Sequence, residues 1–359
     1  MSKIGKIRVD HEGPEDAKVI IIGEAPGAEE EREGRPFVGR AGQFLERYLG
    51  RVGMRREDVY LANICQYRPK GNKFHHLIGS DELAEGLDVL SKTIQRIKPN
   101  LIISLGAWPM YYITGNTAQN GKPGTGVHNW RGSVVPAVDD HIDGIAGIKT
   151  LITLHPAYIV RPQGFGYHPL FHLDLQKGAR ESRSPDLFSP EYEEYINPPN
   201  VWDIVDDMYD AEWLTVDIET FGNSLACIGI TDSTDRGLCI TFEFNIGWEP
   251  AIKLLENNSK KIFQYGTFDI NYLQKFYGIK VNNFAFDTFI AAANLAPEFP
   301  RGLDFLASIY TDFPFYKEER KVWKQQGEMM TLWQYNIKDI IATHDIAMQQ
   351  MEELEALYG

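Results

Sequence analysis

The stretch Trp213–Thr220, WLTVDIET, decides the reading of the second half of this chain. Its apolar and β-branched residues predict a strand. Strand side chains alternate between faces, so Asp217 and Glu219 share one face while Val216 and Ile218 take the other. Two carboxylates held side by side repel each other, and a divalent cation is the group best suited to offset that repulsion. Two more acids join them by position. Phe268-Asp269 opens a helix directly after the strand-like Lys261–Gln264, and Asp339 lies in a helical stretch running from Thr331 to Leu357. Tyr335 stands four residues before Asp339, so one helical turn presents a phenol and a carboxylate together.

Around this core the pattern is orderly. Ala226–Thr231 and Gly237–Phe242 follow the first strand at short spacing, as an antiparallel meander does. Helices are expected at Phe268–Tyr277, Thr288–Leu295 and Leu303–Tyr310. Strands first and helices later give an α+β layout on a mixed sheet. The aromatics near the acids (Phe221, Tyr265, Phe268, Tyr272) are expected to pack in the core, and His344 and Asp345 to lie on the helix surface.

The first half follows a different plan. Val19–Ile22, Val59–Ala62, Leu101–Ser104 and Leu151–Leu154 are unbroken apolar runs, as in a parallel sheet buried on both faces. Helices near Gly42–Val52, Asp81–Ile97 and Leu170–Ala179 complete a three-layer α/β domain. Polar and glycine-rich loops follow the strands: Gly23–Gly27 (GEAPG), Gly34–Gly42 (GRPFVGRAG), the stretch from Asn63 to Asn72, and Leu154–Arg161 (LHPAYIVR). The C-terminal ends of parallel strands are where open α/β sheets build their sites.

Residues 181–200 hold four prolines among acidic and polar residues and are expected to be a linker between domains at 1–180 and 201–359. Residues 1–180 carry 23 basic and 20 acidic side chains, and residues 181–359 carry 13 and 30, so +3 faces −17. Local acidity suits cation binding, although most of these acids, including those from Asp203 to Asp210, are expected to be solvated surface. The three cysteines, Cys65, Cys227 and Cys239, form no C-x-x-C and are expected to be reduced and buried. No apolar run reaches the ~18 residues of a membrane span, and no signal peptide opens the chain. The expectation is a soluble protein of the cytoplasm.

The D-x-E pair Asp217 and Glu219, the segment Gln264–Leu273 with Asp269, and Tyr335-x-x-x-Asp339 together resemble the tyrosine subgroup of DEDD 3′-5′ exonucleases. Phe286-Asp287-Thr288, Asn294-Leu295 and Gly302–Ala307 extend the likeness to the proofreading domain of family-A DNA polymerases. That resemblance implies an RNase H-like fold and two Mg²⁺ or Mn²⁺ ions held by Asp217, Glu219, Asp269 and Asp339. It also implies a water oriented by Tyr335, and frayed 3′ ends as substrate, on whose bases Phe221, Tyr265, Phe268 and Tyr272 would stack if they are not packed in the core.

GEAPG, GRPFVGRAG and HPAYIVR, with Arg131-Gly132 and Asp174–Lys177, resemble family-4 uracil-DNA glycosylases. The resemblance implies that Phe37 stacks on a flipped uracil, that Asn63 reads its edge, and that His155 bonds its oxygen as charge moves onto the base. Glu24 would place water or support the cationic sugar, Arg161 would wedge into the stack, and the loop bearing Ala25 and Gly27 would meet phosphate. The family also ligates a [4Fe–4S] cluster through four cysteines. Here Tyr67 stands at one of those positions and Cys65 is the lone cysteine nearby, so no iron–sulfur cluster is expected and side chains must fill its place. The order of modules resembles the N-terminal portion of phage family-A polymerases, implying a polymerase in cis or in trans. Two rivals are a DNA-binding or polymerase-accessory module that cleaves nothing, and an RNA-processing exonuclease.

Overall fold

The apolar runs of the first half become the centre of a five-stranded sheet. The protein is described by a computed structural model at residues 4–117, 121–222, 224–242, 247–317, 319 and 328–358. It divides into two units, residues 1–188 and 189–359. The strands of the first are β1 (Ile4–Arg8), β2 (Val19–Gly23), β3 (Tyr60–Asn63), β4 (Tyr67–Pro69), β5 (Leu101–Leu105), β6 (Val134–Pro136) and β7 (Lys149–Thr153). The main sheet has the order β3-β2-β5-β7-β6. Its first four strands are parallel, with Ile21 opposite Leu61 and Ile103, and β6 adds an antiparallel edge that the sequence did not announce.

Period-two alternation sends Ile20, Ile22, Ala62 and Ile102 into one core and Val19, Ile21, Leu61 and Ile103 into another. Both faces are covered, which is why the strands read as continuous apolar runs. The helix Asp81–Ile97 covers the first face, capped by Ser80 Oγ accepting from the Leu83 amide at 3.2 Å. The helices Arg40–Arg51 and His168–Glu181 cover the second. A separate two-stranded ribbon pairs β1 antiparallel with β4.

The second unit contains β8 (Glu193–Ile196), β9 (Trp213–Phe221), β10 (Ser224–Thr231), β11 (Arg236–Thr241), β12 (Lys260–Phe263) and β13 (Phe284–Asp287). Their order is β13-β12-β9-β10-β11-β8. The β9–β10–β11 meander is antiparallel as expected, while β12, β13 and β8 join in parallel. The helix Met329–Tyr358 packs across β9, β10 and β11 and presents Tyr335 and Asp339 inward.

Three expectations are corrected. The segment 181–200 is not all linker. Glu181 ends a helix, and β8 is an edge strand whose Tyr195 pairs with Leu238. The strand is four residues long and flanked by prolines, which hid it. The helix expected over Phe268–Tyr277 is an α-helical turn, Thr267–Tyr272, continued by a π-helical turn, Leu273–Tyr277. His344 is buried, its Nδ1 2.9 Å from Thr215 Oγ1, because the helix lies flat on the sheet there. The acidic run behaves as expected: Val201–Met208 is a helix that buries Val201, Ile204, Val205 and Met208. No described helix is long and apolar enough to cross a membrane.

Candidate active sites

Asp217 and Glu219 extend from the same face of β9, opposite Gly229 and Cys227 of β10. The helix Met329–Tyr358 lowers Asp339 onto this face. One carboxylate oxygen from each of Asp217, Glu219 and Asp339 lies within 4.8 Å of the others. Asp269, from the helical turn after β12, is tied to β9 at its Oδ1, which accepts from the Ile218 amide at 3.1 Å. Burial raises the Asp217 carboxyl well above its ordinary value, with the charges of Asp269, Asp339 and Glu219 adding to the effect. Burial likewise pushes Asp269 up to about 7. Carboxyls buried and crowded together in this way resist ionisation, and their all-oxygen donor set suits hard divalent cations such as Mg²⁺ or Mn²⁺. The residues fit the ions that the sequence implies.

Several neighbours were not anticipated. Asn336 Nδ2 donates to Asp217 Oδ2 at 2.8 Å and so holds that carboxylate in place. A Cβ on Gly229 would come within 2.3 Å of Asn336 Oδ1, so glycine at that strand position makes room for the amide. Tyr316 Oη donates to Asp339 Oδ1 at 2.7 Å, and Lys317 Nζ donates to the same oxygen at 2.6 Å and to Tyr335 Oη at 2.8 Å. Asp287 accepts from the Tyr265 and Gly266 amides at 3.1 and 2.9 Å. It thereby clamps Tyr265 in a left-handed conformation with φ 61°. Strain of this kind in a non-glycine residue gathers at functional positions. The expectation of core packing for the nearby aromatics fails for three of four: Phe221 is 64% exposed, Tyr265 55% and Phe268 52%. They face solvent instead of filling the interior.

In the first unit, the loops after β2, β3 and β7 close around a cavity of about 540 Å³. Glu24, Ala25, Gly27, Phe37, Asn63, His155 and Arg161, all singled out from the sequence, line it. His155 Nδ1 accepts from the Ala157 amide at 3.0 Å. Burial, with help from Arg161, lowers the imidazole to about 4, so at neutral pH it is uncharged. Since Nδ1 accepts, the single proton of the neutral ring sits on Nε2, which is therefore a donor. Burial raises Glu24 to about 7 against the opposing pull of Arg161.

Glycines shape this cavity. A Cβ on Gly23 would meet Asn63 Oδ1 and Phe37 Cζ at 2.7 Å, and one on Gly106 (φ +97°) would meet Glu24 Oε1 at 3.2 Å. Phe37 is itself left-handed at φ 54°, and Arg56 holds it there through the carbonyls of Pro36 and Phe37 at 2.7 and 2.9 Å. Glu30, also missed from sequence, ties two loops together: Oε2 accepts from the Gly27 amide and Oε1 from those of Val38 and Gly39. It lies in the run Glu29-Glu30-Glu31, a pattern that by itself is no different from solvated surface.

Residues 11–169 match the uracil DNA glycosylase superfamily, and residues 208–355 match a 3′-5′ exonuclease family. A type-4 uracil-DNA glycosylase of Thermotoga maritima is 33% identical over 167 residues, 46% of this chain and 78% of that protein. Through its first domain, the chain belongs to the type-4 uracil-DNA glycosylase family. Its second domain is a 3′-5′ exonuclease domain. A DNA polymerase of Bacillus phage SP01 is 33% identical over 175 residues, 48% of this chain and 17% of the polymerase. Among solved structures, Brucella melitensis NrnC is 22% identical and spans 46% of this chain and 83% of its own, with a TM-score of 0.38. That likeness carries no information about substrate.

This type-4 glycosylase domain does not fit an iron–sulfur cluster. Four thiolates are needed, and the domain has one cysteine. The Cys65 thiol is buried, which pushes it up to about 11, and its one weak donor lies within reach of the carbonyls of Glu82 and Tyr67, at 3.6 and 3.7 Å. Around it, Ile4 of β1 and Tyr67 of β4 pack onto the core that includes Phe74, Leu77 and Leu83. Side chains and a strand ribbon fill this region. His11, just after β1, adds a polar tie, with Nε2 3.1 Å from the Asn63 carbonyl and 2.7 Å from Gln66 Nε2.

Proposed function

We propose that this protein shortens DNA from the 3′ end at the acidic centre and excises uracil from DNA at the cavity of its first domain. The observation that carries the nuclease reading is the convergence of Asp217, Glu219 and Asp339 within 4.8 Å, beside Asp269. These four carboxylates would hold two divalent cations, which when bound supply a water of lowered pKa and stabilise the departing 3′ oxygen. Asn336 fixes the Asp217 carboxylate. The Tyr335 hydroxyl orients the attacking water; a phenol is too weak a base near neutral pH to take the proton itself. Phe221, on the strand that carries Asp217 and Glu219, and Tyr265 and Phe268, just before Asp269 in the chain, are exposed and offer stacking faces to unpaired terminal bases.

In the cavity, Phe37 stacks on the flipped base and Asn63 reads its edge. The bond between the sugar C1′ and uracil N1 breaks with its electron pair moving onto the base. His155 Nε2–H donates to the uracil oxygen that gains the charge, and Glu24 as carboxylate faces the cationic sugar. Water adds at C1′ and loses a proton, leaving free uracil and an abasic site. The backbone around Ala25 and Gly27 approaches phosphate, and Arg161 occupies the gap in the stack. DNA is favoured over RNA as the nuclease substrate because the glycosylase domain reads uracil as an error, and uracil is an ordinary base only in RNA.

The test uses 5′-labelled single-stranded DNA containing one uracil. With Mg²⁺, wild type should give a 3′-shortening ladder that Asp217→Ala abolishes. In chelator, alkali-labile breaks at uracil should appear and be lost in His155→Ala. A ladder on RNA but not DNA would overturn the substrate assignment, and no product in either arm would favour a binding module.

A further inference from the structure

Lys317 places a positive charge inside the group of acids that would otherwise receive metal. Its side chain is 18% exposed, and its Nζ lies 2.6 Å from Asp339 Oδ1 and 2.8 Å from Tyr335 Oη. The ammonium also sits over the rings of Tyr335 and Tyr316, 4.8 and 5.0 Å from their centroids. Asp339 Oδ1 accepts a second hydrogen bond, from Tyr316 Oη at 2.7 Å. A carboxylate oxygen offers about two lone-pair directions, and both are in use at Oδ1. A cation can therefore gain that oxygen only if one donor withdraws. Tyr316 is buried in the aromatic core, whereas Lys317 reaches in on a flexible stem from a less enclosed position. Lysine is the group able to move.

We propose that Lys317 is the built-in counter-cation of the nuclease centre, competing with a divalent ion for Asp339 Oδ1 while holding the Tyr335 hydroxyl in position. In the absence of metal the ammonium offsets part of the acidic charge. On metal entry it gives up Asp339 and keeps Tyr335, so that occupancy of the centre and placement of the water-orienting phenol are linked. Lys317 is a positioning residue in this scheme: it acts through Asp339 and Tyr335 and transfers no proton. The proposal rests on the metal-centre reading above.

The test measures Mn²⁺ binding to the full chain by the electron paramagnetic resonance signal of free Mn²⁺, with Lys317→Met, Lys317→Arg and Asp217→Ala beside wild type. Lys317→Met should bind Mn²⁺ more tightly by at least about tenfold, the lower end of what close buried charge pairs couple. Lys317→Arg, which keeps the charge, should stay near wild type. On single-stranded DNA at saturating metal, Lys317→Met should lose kcat by at least about tenfold with KM unchanged, and Lys317→Arg should recover part of it. Circular dichroism confirms folding, and Lys317→Gln replaces Lys317→Met if the latter fails to fold. Unchanged or weaker Mn²⁺ binding in the neutral variant overturns the competition, and an unchanged kcat overturns the positioning. If Asp217→Ala binds Mn²⁺ as wild type does, it is the metal-centre reading that fails. If Asp217→Ala loses Mn²⁺ while Lys317→Met matches wild type, only the role of Lys317 fails.

Discussion

Replacing Asp269 by asparagine should stabilise the exonuclease domain when no metal is present, while destroying its response to metal. Burial pushes the Asp269 carboxyl from its ordinary 3.8 to about 7, and Glu219 and Asp287 add to the rise. A carboxyl whose folded pKa is raised costs stability wherever the unfolded chain is ionised and the folded one resists ionisation. The cost is absent below about pH 4, grows between pH 4 and 7, and is complete above 7. The difference corresponds to about 4 kcal/mol at pH 8. Asparagine removes the charge and keeps an oxygen to accept from the Ile218 amide. For a domain of this size about 1 kcal/mol moves the melting temperature by ~2–4 °C, so a rise of ~8–16 °C is expected. The assay is thermal and urea unfolding of both proteins at pH 4 and pH 8, in chelator and in Mg²⁺. In chelator, the gap should open at pH 8 and close near pH 4. Mg²⁺ should raise wild type, because ligand binding to the folded state stabilises it, and leave the variant unmoved. A variant no more stable than wild type at pH 8, or an advantage equally large at pH 4, would show that the buried Asp269 charge carries no such cost.

With Glu24 acting as carboxylate, as proposed above, uracil excision in single-turnover assays should rise about tenfold per pH unit up to about 7 and then level, since burial raises Glu24 to about 7. Its raised pKa should cost the fold roughly 3 kcal/mol as pH climbs from 4.5 to beyond 7, and Glu24→Gln should remove both trends. Gly42→Ala should abolish excision and spare the nuclease, since the new Cβ would lie 1.9 Å from the Phe37 carbonyl oxygen and displace the stacking residue; base-release and 3′-ladder assays on the same preparation check this. Asn336→Leu removes the 2.8 Å bond to Asp217 and should weaken Mg²⁺ affinity by about 10–100-fold, measured by calorimetry, in line with the ~1.5–3 kcal/mol of a hydrogen bond to a charged group.

Much of both sites was legible because their residues sit where chain geometry is local. Asp217 and Glu219 are two apart on a strand, and Tyr335 and Asp339 are four apart on a helix. Gly23–Gly27 and the loop at His155 follow strands whose apolar runs are unmistakable. The helix Asp81–Ile97 was readable to the residue, as it has a serine cap and an even apolar period. What escaped depends on contacts between distant segments. Lys317 meets Tyr335 and Asp339 from a connection with no periodic pattern, and Gly229 matters only because a helix residue 107 positions later needs its space. The β1–β4 ribbon joins residues about sixty apart, one of them in a polar stretch. The exposure of Phe221, Tyr265 and Phe268 defied the expectation that large aromatics go inside, which a residue's own type cannot overrule.

Nuclease activity at this centre requires divalent ions to meet the terminal phosphate at the carboxylates of Asp217, Glu219, Asp269 and Asp339. A DNA strand carrying a single phosphorothioate at its last 3′ linkage probes that contact, because sulfur binds Mg²⁺ poorly and Mn²⁺ better. Cleavage of one stereoisomer should slow by at least about tenfold in Mg²⁺ and recover in Mn²⁺, with the all-oxygen strand cut well in both. Equal rates for both stereoisomers and the unmodified strand in Mg²⁺, or cleavage that persists in chelator, would contradict the metal-centred mechanism.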